Sequence, residues 1–451
     1  MASHAIDMIM LKNLFGTEEM REIWSDKNRI QKHLDVEAAL AMAEGELGLI
    51  PQRAAEKIKN VSMVENFDID MLANEVQKVK HSLMPTIKAL EKLCGEDGEY
   101  VHFGVTTQDI VDTGTILQLK EAHQIIKRDL IEVIKEFARI SKEYKSTPIV
   151  GRTHGMQALP TTFGFKMAVY LSESLRHLDR LNELESRIFT GNISGGVGTY
   201  ASFGEMGMDV EVLTLNKLGL DSPDICWHSS RDRIAEYVSC LGLISGTLGK
   251  MGNEFYNLMR TEINEIEEPF SPGKIGSTTM PHKRNPAALE GLASLTKPIR
   301  YNVALAHDCL LVEHERDAMS WRGEWLALPE SLIYLSSQLI NAKAILKDLV
   351  VKPENMLLNL KHYNGLLVSE RVMFHLSEKL GKQTAHHLVY EICMDSVKRN
   401  KSFKELLIEN ENVNEVLSLD KIEELLDEKT YIGSAELVVN RVLNTFDSYD
   451  L

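Results

Sequence analysis

From Asp112 to about Tyr144 the chain carries one unbroken helical pattern, and no other stretch restricts the fold as much. Apolar side chains recur at Ile116, Leu119, Ile126, Leu130, Val133, Ile134, Phe137 and Ile140, with Lys, Arg and Glu filling the positions between. That periodicity buries one stripe of a helix and leaves the rest polar. Asp112 or Thr113 can cap the start. After Gly114 about 30 residues pass without Gly or Pro, which exceeds the usual globular helix and predicts a bundle.

The same pattern returns over 163–189, from Asp232 to about Ile266, from Ala287 to about Val312, and from about Trp325 to Leu349. In the second of these, Gly242, Gly246, Gly249 and Gly252 allow a neighbouring helix to come close. Alternating strand patterns are scarce. Residues 1–111 read as shorter helices broken at Gly48, Pro51 and Gly95, and the helices shorten again after Pro353. The expectation is an all-α chain in three parts: an N-terminal helical domain (1–111), a central long-helix bundle (112–352) and a C-terminal helical domain (353–451). A lone bundle of such length leaves apolar faces uncovered, so self-association is expected.

The 451 residues carry a formal net charge of −16, which argues against a nucleic-acid backbone or an anionic membrane as partner. A small anionic substrate in a locally basic pocket is compatible with it. Cys94, Cys226, Cys240, Cys309 and Cys393 are scattered, odd in number and free of C-x-x-C spacing. They read as reduced thiols in a cytoplasmic protein, with neither a metal nor a disulfide framework. Asp7 interrupts the apolar run near the N-terminus, which argues against a signal peptide. No stretch of about 18 uncharged apolar residues predicts a membrane span.

Four segments hold more polar and glycine chemistry than turns need. "HFGVTTQDIVDTG" (102–114) offers Thr106, Thr107, Gln108 and backbone N–H groups to an anion, or simply caps a helix. "GRTHGMQALPTTFG" (151–164) places Thr153 and His154 outside any apolar stripe, where the imidazole is either a surface group or an acid–base near neutral pH. "GNISGGVGTYASFG" (191–204) lacks the spacing of a nucleotide fold and reads as tight turns. "KIGSTTMPHKRNPAALE" (274–290) packs hydroxyls, Lys283, Arg284, Asn285 and Glu290 into one loop, a density that a solvated linker does not require. Neither "VEHERD" (312–317) nor the adjacent His386 and His387 has metal-ligand spacing, and no G-x-S-x-G elbow is present.

These segments carry a resemblance. "GSTTMPHKRNP" resembles the signature loop of the fumarase/aspartase superfamily, of general form G-S-S-x-M-P-x-K-x-N, with Thr278 where a second serine is usual. "TTQDIVDT" and "GRTHGMQALPTTFG" match the superfamily's other shared regions in order, and the likeness runs from Asp35 to Leu443. Within it, "SERVMFHLSEKLGK" leans to adenylosuccinate lyase, whereas "CWHSSRDRIAE", "WRGEWLALPE" and "YIGSAE" lean to 3-carboxymuconate cycloisomerase. Two features of adenylosuccinate lyases that serve the nucleotide phosphate are replaced. The Arg-Tyr pair near the N-terminus gives way to "MIMLKNLFGTEEM", and Trp325 stands where Arg follows Glu before "LP".

The resemblance implies a cofactor-free and metal-free lyase, a homotetramer with shared active sites. Its reaction is β-elimination of fumarate from a small dicarboxylate-bearing, N-succinyl substrate, adenylosuccinate lyase-like and hence in purine biosynthesis. It implies Ser277 as general base, His154 as general acid, Glu290 orienting that histidine, and His81 as a second histidine near the leaving group, although Ser82 follows it where Asp is usual. Lys283 and Asn285 would stabilise the carbanion dianion. Thr106, Thr107, Gln108 and Thr153 would bind substrate. Arg231 and Arg233 are either carboxylate or phosphate ligands or members of helix salt bridges. The alternatives are a 3-carboxy-cis,cis-muconate cycloisomerase and, from another class, a non-catalytic crystallin-like structural tetramer.

Overall fold

A computed structural model describes residues 4–270, 279–280 and 282–451. In chain order the elements that matter are α1 (Asp26–Glu46), α2 (Met84–Cys94), α3 (Thr107–Glu143), β1 (Pro148–Thr153), β2 (Met156–Thr162), α4 (Phe163–Ile188), α5 (Asp232–Leu258), β3 (Ile266–Glu267), α6 (Ala287–Asp308), α7 (Ala318–Lys347), β4 (Val350–Val351), α8 (Pro353–Lys361), α9 (Ser369–Leu380) and α10 (Lys382–Arg399). The expected all-α class holds: helices dominate and the described sheets are two-stranded. The longest helix begins five residues earlier than the apolar stripe alone indicates, because Thr107–Val111 continue it past the first apolar marker.

The chain separates into two compact units, and both cut through the long helices. The first comprises Met1–Leu130, Arg176–Gly249 and Gly291–Asn341. Its core includes Ile116, Leu119 and Ile126 of α3, Ile234, Val238 and Leu241 of α5, and Leu332, Leu335 and Leu339 of α7. Two of the four glycines noted on α5 do what the sequence suggested. A Cβ at Gly249 would lie 2.2 Å from Thr296 Oγ1, and one at Gly242 would lie 2.6 Å from Val303 Cγ2, so only hydrogen lets α5 approach α6 there.

The second unit comprises Ile131–Leu175, Lys250–Glu290 and Ala342–Leu451. Phe137 of α3 stacks on Tyr170 of α4 with ring centroids 5.5 Å apart. The segment read as a polar loop is a β-hairpin: β1 and β2 pair antiparallel, with Thr153 opposite Met156. His154 and Gly155 form its two-residue turn, both with positive φ (53° and 80°), the pattern of a type I′ turn. An irregularity between Val150 and Arg152 breaks the alternation, which hid the strands from a period-two reading. Val150 packs with Leu360 of α8 and with Leu367. The C-terminal helices enclose a separate apolar cluster around Leu376, Val389, Phe403 and Leu407.

Candidate active site

In the first unit, the start of α3 is built around Asp109, a fully buried carboxylate. Its Oδ2 accepts the backbone N–H of Thr106 (3.0 Å) and of Gly195 (2.8 Å). Its Oδ1 accepts Ser194 N–H (3.1 Å), Asn192 Nδ2 (3.3 Å) and His228 Nε2 (3.0 Å). The glycine-rich segment 191–204 is thereby tied to the turn that presents Thr106 and Thr107. Gly195 and Gly198 adopt positive φ, as its reading as tight turns requires. Burial works against a charge on the His228 ring, but Asp109 and Cys226 outweigh it and push its pKa up to about 9.

Thr106 and Thr107 face two further groups. Arg316 Nη1 donates to Thr106 Oγ1 at 2.8 Å, so an exposed cation stands beside the threonines. His81 Nε2 lies 3.4 Å from Thr107 Oγ1. His81 Nδ1 accepts the backbone N–H groups of Leu83 (3.3 Å) and Met84 (3.1 Å) at the start of α2, so the ring proton of the neutral form sits on Nε2, toward Thr107. Gln108 is buried beneath them; its amide donates to Asp112 Oδ2 (3.0 Å) and to the carbonyl of His228 (3.1 Å), which makes it a support for the turn.

The two arginines of "SRDRIAE" differ. Arg231 is buried and engages Asp112 and Glu324 with its guanidinium, so the salt-bridge alternative is the one realised. Arg233 stacks over Trp227 at 5.1 Å, and its buried Nε and Nη1 have no partner among the described residues. Trp321 Nε1 donates to Asp112 (2.8 Å), Trp325 packs edge-on against Trp321 at 4.9 Å, and Arg29 lies over the Trp325 ring at 4.9 Å. Aromatic surface thus stands where the sequence departs from the phosphate pattern.

In the second unit, Lys283, Asn285 and Glu290 line one open cleft of about 650 Å³ together with Arg260, Glu262 and Tyr256. The C-terminal end of the signature loop is anchored by two acids at the end of β3. Glu268 accepts the N–H groups of Ala288 (3.1 Å) and Leu289 (3.3 Å) in the first turn of α6, and Glu267 accepts Arg284 (2.7 Å). Lys283 and Glu290 remain exposed. Ser277 lies outside the described residues. Thr153 and His154 are exposed at the hairpin tip, and no hydrogen bond or ion pair joins His154 to Glu290 among the described residues. The hairpin is braced by Arg152, which pairs with buried Glu265 through two hydrogen bonds of 2.9 and 2.8 Å.

The arrangement therefore gathers His81, Thr106 and Thr107 at one helix start, and Lys283, Asn285 and Glu290 at one cleft. The sequence reading missed Asp109, Arg316, His228 and Glu268. Asp109 and Arg316 had no signal beyond their positions in "TTQD" and "HERD"; only contacts across 80 to 210 residues of chain reveal them.

Comparisons with known proteins bear on this geometry. A family described as Lyase matches residues 15–299, and one described as Adenylosuccinate lyase C-terminus matches residues 365–442. A protein of Dickeya dadantii named N-acetyl-S-(2-succino)cysteine lyase is 57% identical over 451 residues, 100% of this chain and 99% of its own. The adenylosuccinate lyase of Pyrococcus horikoshii is 40% identical over 447 residues, covering 98% of each chain. The crystal structure of 3-carboxy-cis,cis-muconate lactonizing enzyme from Pseudomonas putida superposes with a TM-score of 0.91 at 36% identity, covering 96% of this chain and 98% of that one.

Proposed function

The chain belongs to the fumarase/aspartase superfamily of lyases, and from that premise we propose that it is an enzyme releasing fumarate from an S-succinylated thiol of the N-acetyl-S-(2-succino)cysteine type. The full-length likeness to the Dickeya lyase carries this reading. It moves the leaving atom expected from the sequence from nitrogen to sulfur and keeps the elimination. The Trp321–Trp325–Arg29 surface supports it, because a small acylated amino acid needs no phosphate ligands.

The step breaks the C–H bond beside one carboxylate and the C–S bond on the next carbon. A C=C bond forms, and the proton ends on solvent or sulfur. Ser277 is the proposed base. Lys283 and Asn285 meet the charge that develops on the carboxylate, where donors lower the barrier most. Thr106 and Thr107, with the N–H groups at the start of α3 and the Arg316 guanidinium, hold the second carboxylate. Arg233, with free donors, is a further ligand for a leaving-group carboxylate. His154 and His81 are the proposed acids for the departing thiol, with Glu290 as the proposed partner of His154. A thiol has an ordinary pKa of about 8.5, so sulfur leaves as thiolate far more readily than an amine leaves as amide. The site residues are drawn from more than one copy of the chain in a homotetramer, which brings distant loops of long helices together. Five unbridged cysteines fit a reducing, cytoplasmic setting.

The likeness to the lactonizing enzyme supports a second reading, intramolecular addition of a carboxylate across a double bond. One panel decides. Purified protein is offered N-acetyl-S-(2-succino)cysteine, adenylosuccinate and 3-carboxy-cis,cis-muconate, with fumarate followed by ultraviolet absorbance and free thiol by a colorimetric reagent. Fumarate and thiol appearing in equal amounts from the first substrate is the expected result. Turnover of either other compound, with none of the first, overturns the proposal.

A further inference from the structure

All four tryptophans of the chain, Trp24, Trp227, Trp321 and Trp325, line one cavity. It encloses about 150 Å³ between the start of α1 and helices α3, α5 and α7, all within the first unit. Pro329 lies inside α7 and also lines it, where the missing N–H takes one bond out of the helix ladder. Trp24, Arg29, Trp321 and Trp325 keep part of their surface uncovered. His81, Thr106, Thr107, Arg233 and Arg316 are not among its lining residues, so it is separate from the groups gathered at the start of α3.

The lining holds donors that lack acceptors. Arg29 lies over the Trp325 ring at 4.9 Å, and its guanidinium makes no hydrogen bond or ion pair among the described residues. Burial disfavours its charge, and nearby Asp26 offsets this only in part. The indole N–H groups of Trp24 and Trp325 are buried and have no partner among the described residues. The two acids of the lining do not answer Arg29. Both oxygens of Asp112 and of Glu324 are taken by Arg231, and Asp112 accepts Gln108 and Trp321 as well. A half-buried cation without an anion is costly, and so is a buried N–H without an acceptor. An entering carboxylate supplies both the charge and the oxygens. The volume sets the rest of the ligand: a space of about this size takes a benzene-sized molecule. It is too small for a nucleotide, and one cation beside two acids suits a single negative charge better than the two of fumarate.

We propose that this cavity is a second ligand site, which binds a small aromatic monocarboxylate with its carboxylate on Arg29 and its ring against the indoles. The guanidinium meets the carboxylate as a planar, two-pronged donor, and contacts between the ring and the tryptophans hold the apolar body. Binding makes and breaks no covalent bond. The site does not depend on which reaction the chain carries out.

Benzoate is the probe, titrated into the full chain as purified. Tryptophan fluorescence reports on the site without background, since every tryptophan lines the cavity, and calorimetry gives the affinity. Saturable binding with a Kd of about 1 mM or tighter is expected. Benzyl alcohol, a similar ring without the charge, should bind at least about tenfold more weakly, a comparison that needs no variant. Arg29→Met should weaken benzoate by a similar factor, and Arg29→Lys by less. Saturating fumarate should leave the benzoate curve in place. No fluorescence change and no heat with benzoate, equal binding of benzyl alcohol, full affinity in folded Arg29→Met, or displacement by fumarate each overturns the proposal. Binding of N-acetylcysteine in place of benzoate would make the cavity part of the leaving-group site and overturns it too.

Discussion

Arg231 and Asp112 are locked together by two hydrogen bonds, Nη1 to Oδ2 at 2.6 Å and Nη2 to Oδ1 at 3.2 Å, with each side chain only 3% exposed. Glu324 closes the other side of the guanidinium, with Nε donating to Oε1 at 2.8 Å. Two buried carboxylates therefore share one cation, and without it Asp112 keeps only the neutral donors Gln108 and Trp321 among the described residues. Removing the cation leaves both buried and unmatched, which typically costs about 3–5 kcal/mol. Arg231→Ala should lower the unfolding free energy obtained from urea melts by an amount in that range, and Arg231→Lys should recover only part of it, since a point charge cannot serve both acids. Midpoints equal to wild type would show that the ion triad contributes nothing to stability.

Lys283 is exposed in a cleft and makes no ion pair among the described residues, so its charge is available to a ligand. If it stabilises the developing dianion, its loss weighs on the transition state more than on bound substrate. Lys283→Ala should reduce kcat by about 10²–10³-fold, the usual effect of deleting one such donor, with a small change in KM. Steady-state kinetics on the assembled protein decide it; a variant that only raises KM would make Lys283 a binding residue.

The long helices and the all-α class were legible in the sequence because a stripe of apolar residues over 30 positions has one physical solution. The hairpin at His154 was not, because Gly151 and the irregularity beside it break the period, and His-Gly is not the usual pair for its turn. Lys283, Asn285 and Glu290, which line one cleft, stood out as candidates because the loop is dense in functional groups. Asp109 was invisible, since its importance lies in five donors, three of them from residues 192–195 and one from residue 228. Arg231 illustrates the limit: its sequence context suits a ligand and a salt bridge equally, and only burial beside Asp112 and Glu324 separates them.

His154 offers a direct test of the leaving atom. General acids typically contribute about 10²–10⁴-fold when the departing group must be protonated. A thiolate is stable enough near neutral pH to leave without that help, while an amine is not. His154→Gln should therefore retain more of its kcat/KM on an S-succinyl substrate than Lys283→Ala does. The gap should narrow on substrates with less acidic thiols, whose departure needs the proton more. Equal losses from both substitutions across a thiol series would mean that proton donation limits the rate, against the reading above.

Glu44 on α1 is fully buried, and both carboxylate oxygens lack partners among the described residues. Burial, with the nearby Glu37 charge, pushes its pKa up from 4.5 to about 9. The folded chain keeps this proton up to about pH 9, whereas the unfolded chain gives it up near 4.5. Unfolding between those values thus releases a proton, and rising pH favours the unfolded state by about 1.4 kcal/mol per pH unit. At pH 7 the accumulated penalty is on the order of 3 kcal/mol. Gln has the same shape and no proton to lose, so Glu44→Gln should be the more stable protein at pH 8, with the advantage shrinking as pH falls toward 4.5. Denaturant melts at several pH values measure it directly. A difference that stays constant with pH would place the charge of Glu44 in the folded state and require a partner for it.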